Sequence, residues 1–241
     1  MGKAARGVLA IPLTHMCGRF TTRLTPAELI EAFGLSGMDA ALREALPPRF
    51  NIAPRQPVPV VSNRAPSTLQ AFRWGLVPWW AKDLRAGDHL INARIETLGE
   101  RRAFASGERN RCLVLADGFY EWKREGARKQ PFFFELKGSA PFGFAALWDR
   151  WRDGATGDVV HSCVLLTQPA VGPAAAVHDR MPVVLPKRMY ATWLAEDAVP
   201  LGSWQKRFAD LAPPFLARPV STYVNTAAHE GPECVLPAPL A

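Results

Sequence analysis

Residues 142–167 read FGFAALWDRWRDGATGDVVHSCVLLT. Two runs, 142–148 and 159–167, are dense in aromatic and β-branched residues, and DGATG at 153–157 separates them. Such runs fit a pleated, half-buried surface, and a short Gly-containing break between two of them marks a hairpin. Runs of the same kind occupy 58–61, 69–74, 112–115 and 132–136, and REGA at 124–127 reads as a second hairpin loop. Helical signals are sparser. Thr25-Pro26-Ala27-Glu28 offers an N-cap threonine, a proline at the first helical position and a glutamate placed to close a capping box. Leu29, Ile30 and Phe33 follow as one stripe, and Gly34 ends it. A second helix is expected after Pro186, where Met189, Tyr190, Trp193 and Leu194 share a face. Helices and strands do not alternate, so a doubly wound parallel sheet is disfavoured and a mostly antiparallel α+β domain is expected.

Composition narrows the class. The 241 residues carry 29 Lys+Arg against 22 Asp+Glu, a formal +7 with histidine neutral. That excess is too small for a disordered polybasic arm and suits a folded domain with a basic face, for which nucleic acid is the first partner to consider. With 48% hydrophobic and 21% charged residues, the chain can bury a sizeable core as one domain or two tightly fused halves. Its 22 prolines, spread through apolar stretches, argue against an all-helical bundle. No apolar run reaches the ~18 to 20 residues that span a bilayer, which argues against a membrane protein. Cys17, Cys112, Cys163 and Cys234 form no CxxC pair and no zinc spacing, so no metal is expected and a reduced, cytoplasmic protein is. The opening MGKAARGVLAIPLTH is a poor signal peptide, and Arg6 sits where a myristoylation signal has Ser or Thr.

Four segments combine polar residues with glycine or aromatics beyond what packing requires: MCGRF (16–20), INARIET (91–97), ADGFYEWK (116–123) and HDRMP (178–182). A lone cysteine is most often a small buried hydrophobe. Cys17, however, follows Met16; a start at Met16, with the methionine then removed, leaves Cys17 carrying an α-amine and a thiol, both partly available near neutral pH. Such a pair condenses with an aldehyde, the amine forming a Schiff base and the thiol closing a five-membered thiazolidine. Glu121 alternates to the face opposite Tyr120 and Trp122. A solvated strand carboxylate is the plainer reading; a cleft on that face would raise its pKa and suit it to proton transfer. His178 is either a loop histidine bonded to its neighbours or a general acid–base. Asn92 is either a turn residue or a fixed donor and acceptor for a substrate. Arg19, Arg94 and Arg180 each lie beside one of these residues, and together they would make a phosphate-binding rim. In WGLVPWW (74–80), adjacent Trp79 and Trp80 cannot both point into one sheet face, so at least one is available to stack on bases.

MCGRF, RFNIAP (49–54), WGLVPWW, INARIET, ADGFYEW, QPFFF (130–134) and HDRMP stand in one order along the chain. Together they resemble the SOS response-associated peptidase (SRAP) family, whose members process abasic sites in single-stranded DNA. The resemblance runs from Met16 to about Leu236. It implies a DNA-repair protein that crosslinks itself to the lesion, with no metal or organic cofactor. By position, Cys17 resembles the N-terminal nucleophile, Asn92 and His178 the groups that hold and protonate the ring-opened sugar, and Glu121 the carboxylate that handles the amine proton. Arg19, Arg94 and Arg180 match phosphate-contacting positions, Asn51 a pocket position, and Trp79 and Trp80 an aromatic segment that helps bend the strand. The fold expected is a single α+β domain on a mostly antiparallel, barrel-like sheet with a few flanking helices. The protein is expected to be a monomer without membrane contact, associating with the nucleoid when it acts.

In the family's pattern, cysteine follows the initiator methionine, whereas fifteen residues precede Met16 here. A peptide nitrogen is not nucleophilic, so crosslinking requires residues 1–16 to be absent from the mature protein, leaving a domain of 17–241. Two other readings use the same residues. One is a thiol-dependent peptidase with Cys17, His178 and either Glu121 or Asn92. The other is a non-catalytic module that binds single-stranded DNA or DNA ends.

Overall fold

The computed structural model describes residues 17–38, 42, 46–126, 128–195 and 200–239; the expected extension 1–16 and Ala127 of the REGA loop lie outside them. The DGATG turn forms from its own side chain: Asp153 Oδ1 accepts from Ala155 N at 2.8 Å, and Gly157 N donates to Asp153 O at 3.0 Å. The two runs beside it pair antiparallel with Trp148 opposite Cys163.

In chain order the strands are β1 (Arg19–Thr22), β2 (Gly37–Met38), β3 (Arg49–Ile52), β4 (Pro57–Ser62), β5 (Ala65–Trp74), β6 (Asn92–Arg94) and β7 (Arg111–Ala116). They continue with β8 (Gly118–Glu125), β9 (Arg128–Leu136), β10 (Phe142–Arg152), β11 (Val159–Pro169), β12 (Arg180–Pro182), β13 (Val184–Leu185) and β14 (Phe215–Pro219). Helices α1 (Pro26–Phe33), α2 (Tyr190–Leu194) and α3 (Leu201–Ala209) lie between them.

Strands β5, β4, β7, β10 and β11 join in that order, and β11 returns to pair with β5, which closes a five-stranded barrel. A second, fully antiparallel sheet runs β14-β9-β8-β1-β3. The barrel is not antiparallel throughout: β11 runs parallel to β5 and β6, and β2 runs parallel to β5. The closing β11–β5 pair is thus a crossover that hairpin signals could not indicate.

Alternation along the strands explains why the core runs read as continuously apolar. Cys112, Val114, Phe144, Ala146, Cys163 and Leu165 face one cluster; Leu113, Leu115, Ala145, Leu147, Val164 and Leu166 face another. The first fills the barrel and its seam with the second sheet, through Phe20, Ile52, Phe119 and Phe134. The second is covered by α2 and α3, through Trp193, Trp204 and Phe208. A strand buried on both faces has no polar side to show. The α1 cap forms as expected: Glu28 N donates to Thr25 Oγ1, Thr25 N to Glu28 Oε2, and Gly34 takes φ 64°. The helix after Pro186 is short, with Trp193 and Leu194 buried and Met189 and Tyr190 packed beside them. Strands β1, β2, β3, β6, β12, β13 and β14 and helix α3 lie outside the runs that the sequence marks. Among the described residues, no helix is long and apolar enough to cross a membrane.

Candidate functional site

Strand β1 pairs with β8 with Arg19 opposite Tyr120. Continuing that antiparallel register two residues back from Arg19 brings Cys17 alongside 121–122. Asp117 secures the join: its carboxylate accepts from Thr21 Oγ1 at 2.5 Å and from Arg23 N and Nε at 3.1 and 2.8 Å.

At the end of this seam, Cys17 N donates to Glu121 Oε1 at 2.6 Å, and Asn92 Nδ2 donates to Cys17 O at 3.1 Å. Three motifs separated by up to 104 positions therefore meet on one residue's backbone. Cys17 is 0% exposed and Glu121 1%. The solvated reading of Glu121 is corrected here. Alternation does set it opposite Tyr120 and Trp122, which pack on a separate cluster, but its own face is that of Phe119, inside the protein. Burial pushes the Glu121 carboxyl up to about 8, the neighbouring Asp179 charge adding to the rise while N–H donation from Cys17 and Trp122 opposes it. Burial and then the Glu121 charge hold the Cys17 thiol well above its ordinary value.

The segment leading into HDRMP packs on the cluster that includes Cys17 through Ala174 and Val177, and Met181 of the motif belongs to that cluster. His178 N donates to Ala174 O, and His178 Nδ1 accepts from Arg180 N at 3.0 Å with Asp179 Oδ1 2.9 Å away. Arg180 is turned inward: its fork holds Glu96 at 2.6 and 2.9 Å, and Nη2 also donates to Thr167 O at 2.7 Å. Against a desolvation that would raise it, these bonds hold the Glu96 carboxyl below its ordinary range.

Arg19 and Asn51 sit on the opposite face of the seam as a clamp. Arg19 Nη1 donates to Asn51 Oδ1 and to Val224 O, both at 2.8 Å, and Asn51 Nδ2 donates to Thr226 O and His229 O at 3.0 and 2.8 Å. They fasten the C-terminal segment across β1 and β3. Arg94 is exposed at the end of β6. Trp79 and Trp80 are both exposed, with Arg102 lying over Trp80 at 5.0 Å. The structure thus gathers Cys17, Asn92 and Glu121 by direct contact, brings Asp179, next to His178, within electrostatic reach of Glu121, and leaves the three arginines in three different settings. Among the described residues no His, Cys, Asp and Glu cluster could hold a metal ion.

Residues 16–227 match the family described as SOS response associated peptidase (SRAP). The chain belongs to the SRAP family. Among its relatives, abasic site processing protein YoqW of Bacillus subtilis (strain 168) is 34% identical over 91% of this chain and 99% of its own length. Abasic site processing protein YedK of Escherichia coli (strain K12) is 30% identical over 92% of this chain and 100% of its own. Abasic site processing protein HMCES of Gallus gallus is 29% identical, spanning 93% and 79%. A solved structure from Bacteroides thetaiotaomicron superposes with a TM-score of 0.81 at 20% identity, covering 92% of this chain and all of that one, which establishes the shared fold.

Within this SRAP domain, sequence reasoning missed two acids that hold the site together. Asp117 and Glu96 stand inside quoted motifs, but their partners Thr21, Arg23 and Arg180 lie 84 or more positions away.

Proposed function

We propose that this SRAP protein processes abasic sites in single-stranded DNA by forming a covalent thiazolidine between the lesion and Cys17, in a mature form that begins at Cys17. The observation that carries the reading is the 2.6 Å contact between Cys17 N and the buried Glu121 carboxylate. In the processed protein that nitrogen is an α-amine, and its protonated form would draw the carboxyl down from the value of about 8 that it has beside a peptide N–H. Glu121 serves by taking the amine proton as attack begins.

The steps follow from this pairing. The abasic deoxyribose opens to its aldehyde, with His178 moving the proton of the ring oxygen. The amine nitrogen adds to C1′ to give a carbinolamine, and loss of water leaves a Schiff base. The thiol sulfur then adds to the same carbon and gives up its proton, closing the five-membered ring. The net change is aldehyde plus cysteine to thiazolidine plus one water. Asn92, bonded to Cys17 O, keeps the residue from rotating away from the aldehyde.

A thiol peptidase is less well supported, because it needs a thiolate and both burial and Glu121 disfavour one at Cys17. A chain beginning at Met16 is incubated with single-stranded DNA carrying one abasic site and run on a denaturing gel, and intact mass reports the N-terminus. A shifted band is expected, absent for Cys17→Ala and for a chain with one residue added before Cys17. A chain that starts at Cys17 by mass yet gives no band with DNA of verified abasic content overturns the reading.

A further inference from the structure

Away from Cys17, a cavity of about 390 Å³ opens beside the exposed tryptophans, lined by Arg64, Trp79, Ser106, Arg109, Asn110 and Asp149. It has a built floor. Asp149, 4% exposed, accepts from Trp79 N at 3.1 Å and Ser106 Oγ at 3.2 Å through Oδ2, and from Arg150 N at 2.8 Å through Oδ1. A carboxylate has about four acceptor positions, so these three donors leave Asp149, which lines the cavity, with capacity for a further one. The backbone of the tryptophan segment is fixed on both sides, by Val77 N on Ser162 Oγ at 2.8 Å and by Trp151 Nε1 on Ala81 O at 2.7 Å. Trp79 is 65% exposed on that fixed backbone.

The two arginines of the rim come from distant loops that one buried residue ties together. Asn63, next to Arg64, donates to Arg109 O at 2.8 Å, while its Oδ1 accepts from Arg111 N at 3.1 Å and Trp148 Nε1 at 3.0 Å. An aromatic face, a floor that wants a hydrogen-bond donor and a cationic rim match the three parts of a nucleotide: base, exocyclic amine and phosphate. Strand β11 connects the two regions: Ser162 holds Val77, two residues before Trp79, and Leu165, three residues or about 10 Å further along the strand, pairs with Asn92.

We infer that this cavity seats an intact nucleotide neighbouring the lesion, its base on Trp79 with an exocyclic amine toward Asp149 and Asn110, and its two flanking phosphates on Arg64 and Arg109. The inference rests on the DNA reading above and extends it from the reacting sugar to the strand beside it. Cytosine fits the floor, offering an N4 amine where thymine offers an O4 acceptor.

The test uses Cys17→Ala protein, which cannot crosslink, and labelled undamaged oligo-dC and oligo-dT, with affinity read by fluorescence anisotropy from 50 to 200 mM salt. Oligo-dC is expected to bind several-fold tighter than oligo-dT. Arg64→Ala with Arg109→Ala is expected to weaken binding roughly tenfold and to lower the salt slope by about 1.4, at ~0.7 per phosphate. A control pair of distant cations, Lys137→Ala with Lys206→Ala, reports the effect of charge loss alone. Equal losses in the two pairs with an unchanged slope, or equal binding of the two oligomers, overturn the inference. Crosslinking by Arg64→Ala with Arg109→Ala protein carrying Cys17 is measured separately at saturating concentration. A band there alongside a negative binding result fails the cavity alone; no band from any Cys17 protein fails the parent reading.

Discussion

Glu121 is a carboxylate held where water cannot reach it, with the backbone N–H of Cys17 as partner. Its folded form binds a proton more tightly than the unfolded chain does, so folding takes up a proton between the ordinary carboxyl range near ~4.5 and about 8. Stability is therefore undiminished below that window and falls as pH rises through it. Glu121→Gln, which keeps the acceptor oxygen and removes the charge, should raise thermal stability at pH 9 by an amount on the order of a few kcal/mol and leave it unchanged at pH 4. Thermal melts at the two pH values check this; an equal gain at both would show that the charge is not the cause. The same variant should slow crosslinking roughly a hundredfold, read from the time course of the gel-shifted band, because the amine loses its proton acceptor.

Two elements deliver Cys17 to that carboxylate. Strand β8 sits at its depth because Gly118 leaves room: a Cβ there would meet the ring of Phe133 and the hydroxyl of Thr21. Gly118→Ala should cost about 1–3 kcal/mol by chemical denaturation and should shift Glu121 with the strand, lowering the crosslinking rate as well. The HDRMP loop is fixed to the INARIET segment by the Arg180–Glu96 fork. Arg180→Ala should cost about 2 kcal/mol, less than a fully buried pair because Glu96 is partly exposed. A double-mutant cycle with Glu96→Ala should return a coupling of about 1 kcal/mol or more. Additivity would mean that Arg180 acts elsewhere, as the phosphate contact implied by its motif. Glu96 and Arg180 are both readable as motif members, but no spacing rule links them across 84 positions.

On the proposed reading the protein meets DNA with a modest excess of positive charge, 29 Lys+Arg against 22 Asp+Glu in the full sequence. Arg180 is turned to Glu96, and Arg19 to Asn51 and the C-terminal segment, leaving Arg94 exposed near the chemistry. With Arg94, Arg64 and Arg109 each on one phosphate, log affinity against log salt should fall with a slope of about −2 for single-stranded DNA, or roughly 15- to 20-fold between 50 and 200 mM. A slope of about −5 or steeper in a salt titration would mean that the wider basic surface binds the strand.

The antiparallel hairpins, the capped α1 and the two-faced apolar strands follow from local patterns, because turn chemistry, capping and alternation act within a few residues. The motif residues Cys17, Asn92, Glu121 and His178 could be named the same way. What the chain alone left open was decided by contacts across 75 to 104 positions: the parallel β11–β5 closure, the burial of Glu121, and the inward turn of Arg180. A strand glutamate reads the same whether its face meets water or another sheet. Only the packing of β8 against β1 and the barrel takes that carboxylate out of water, and desolvation is what raises its proton affinity.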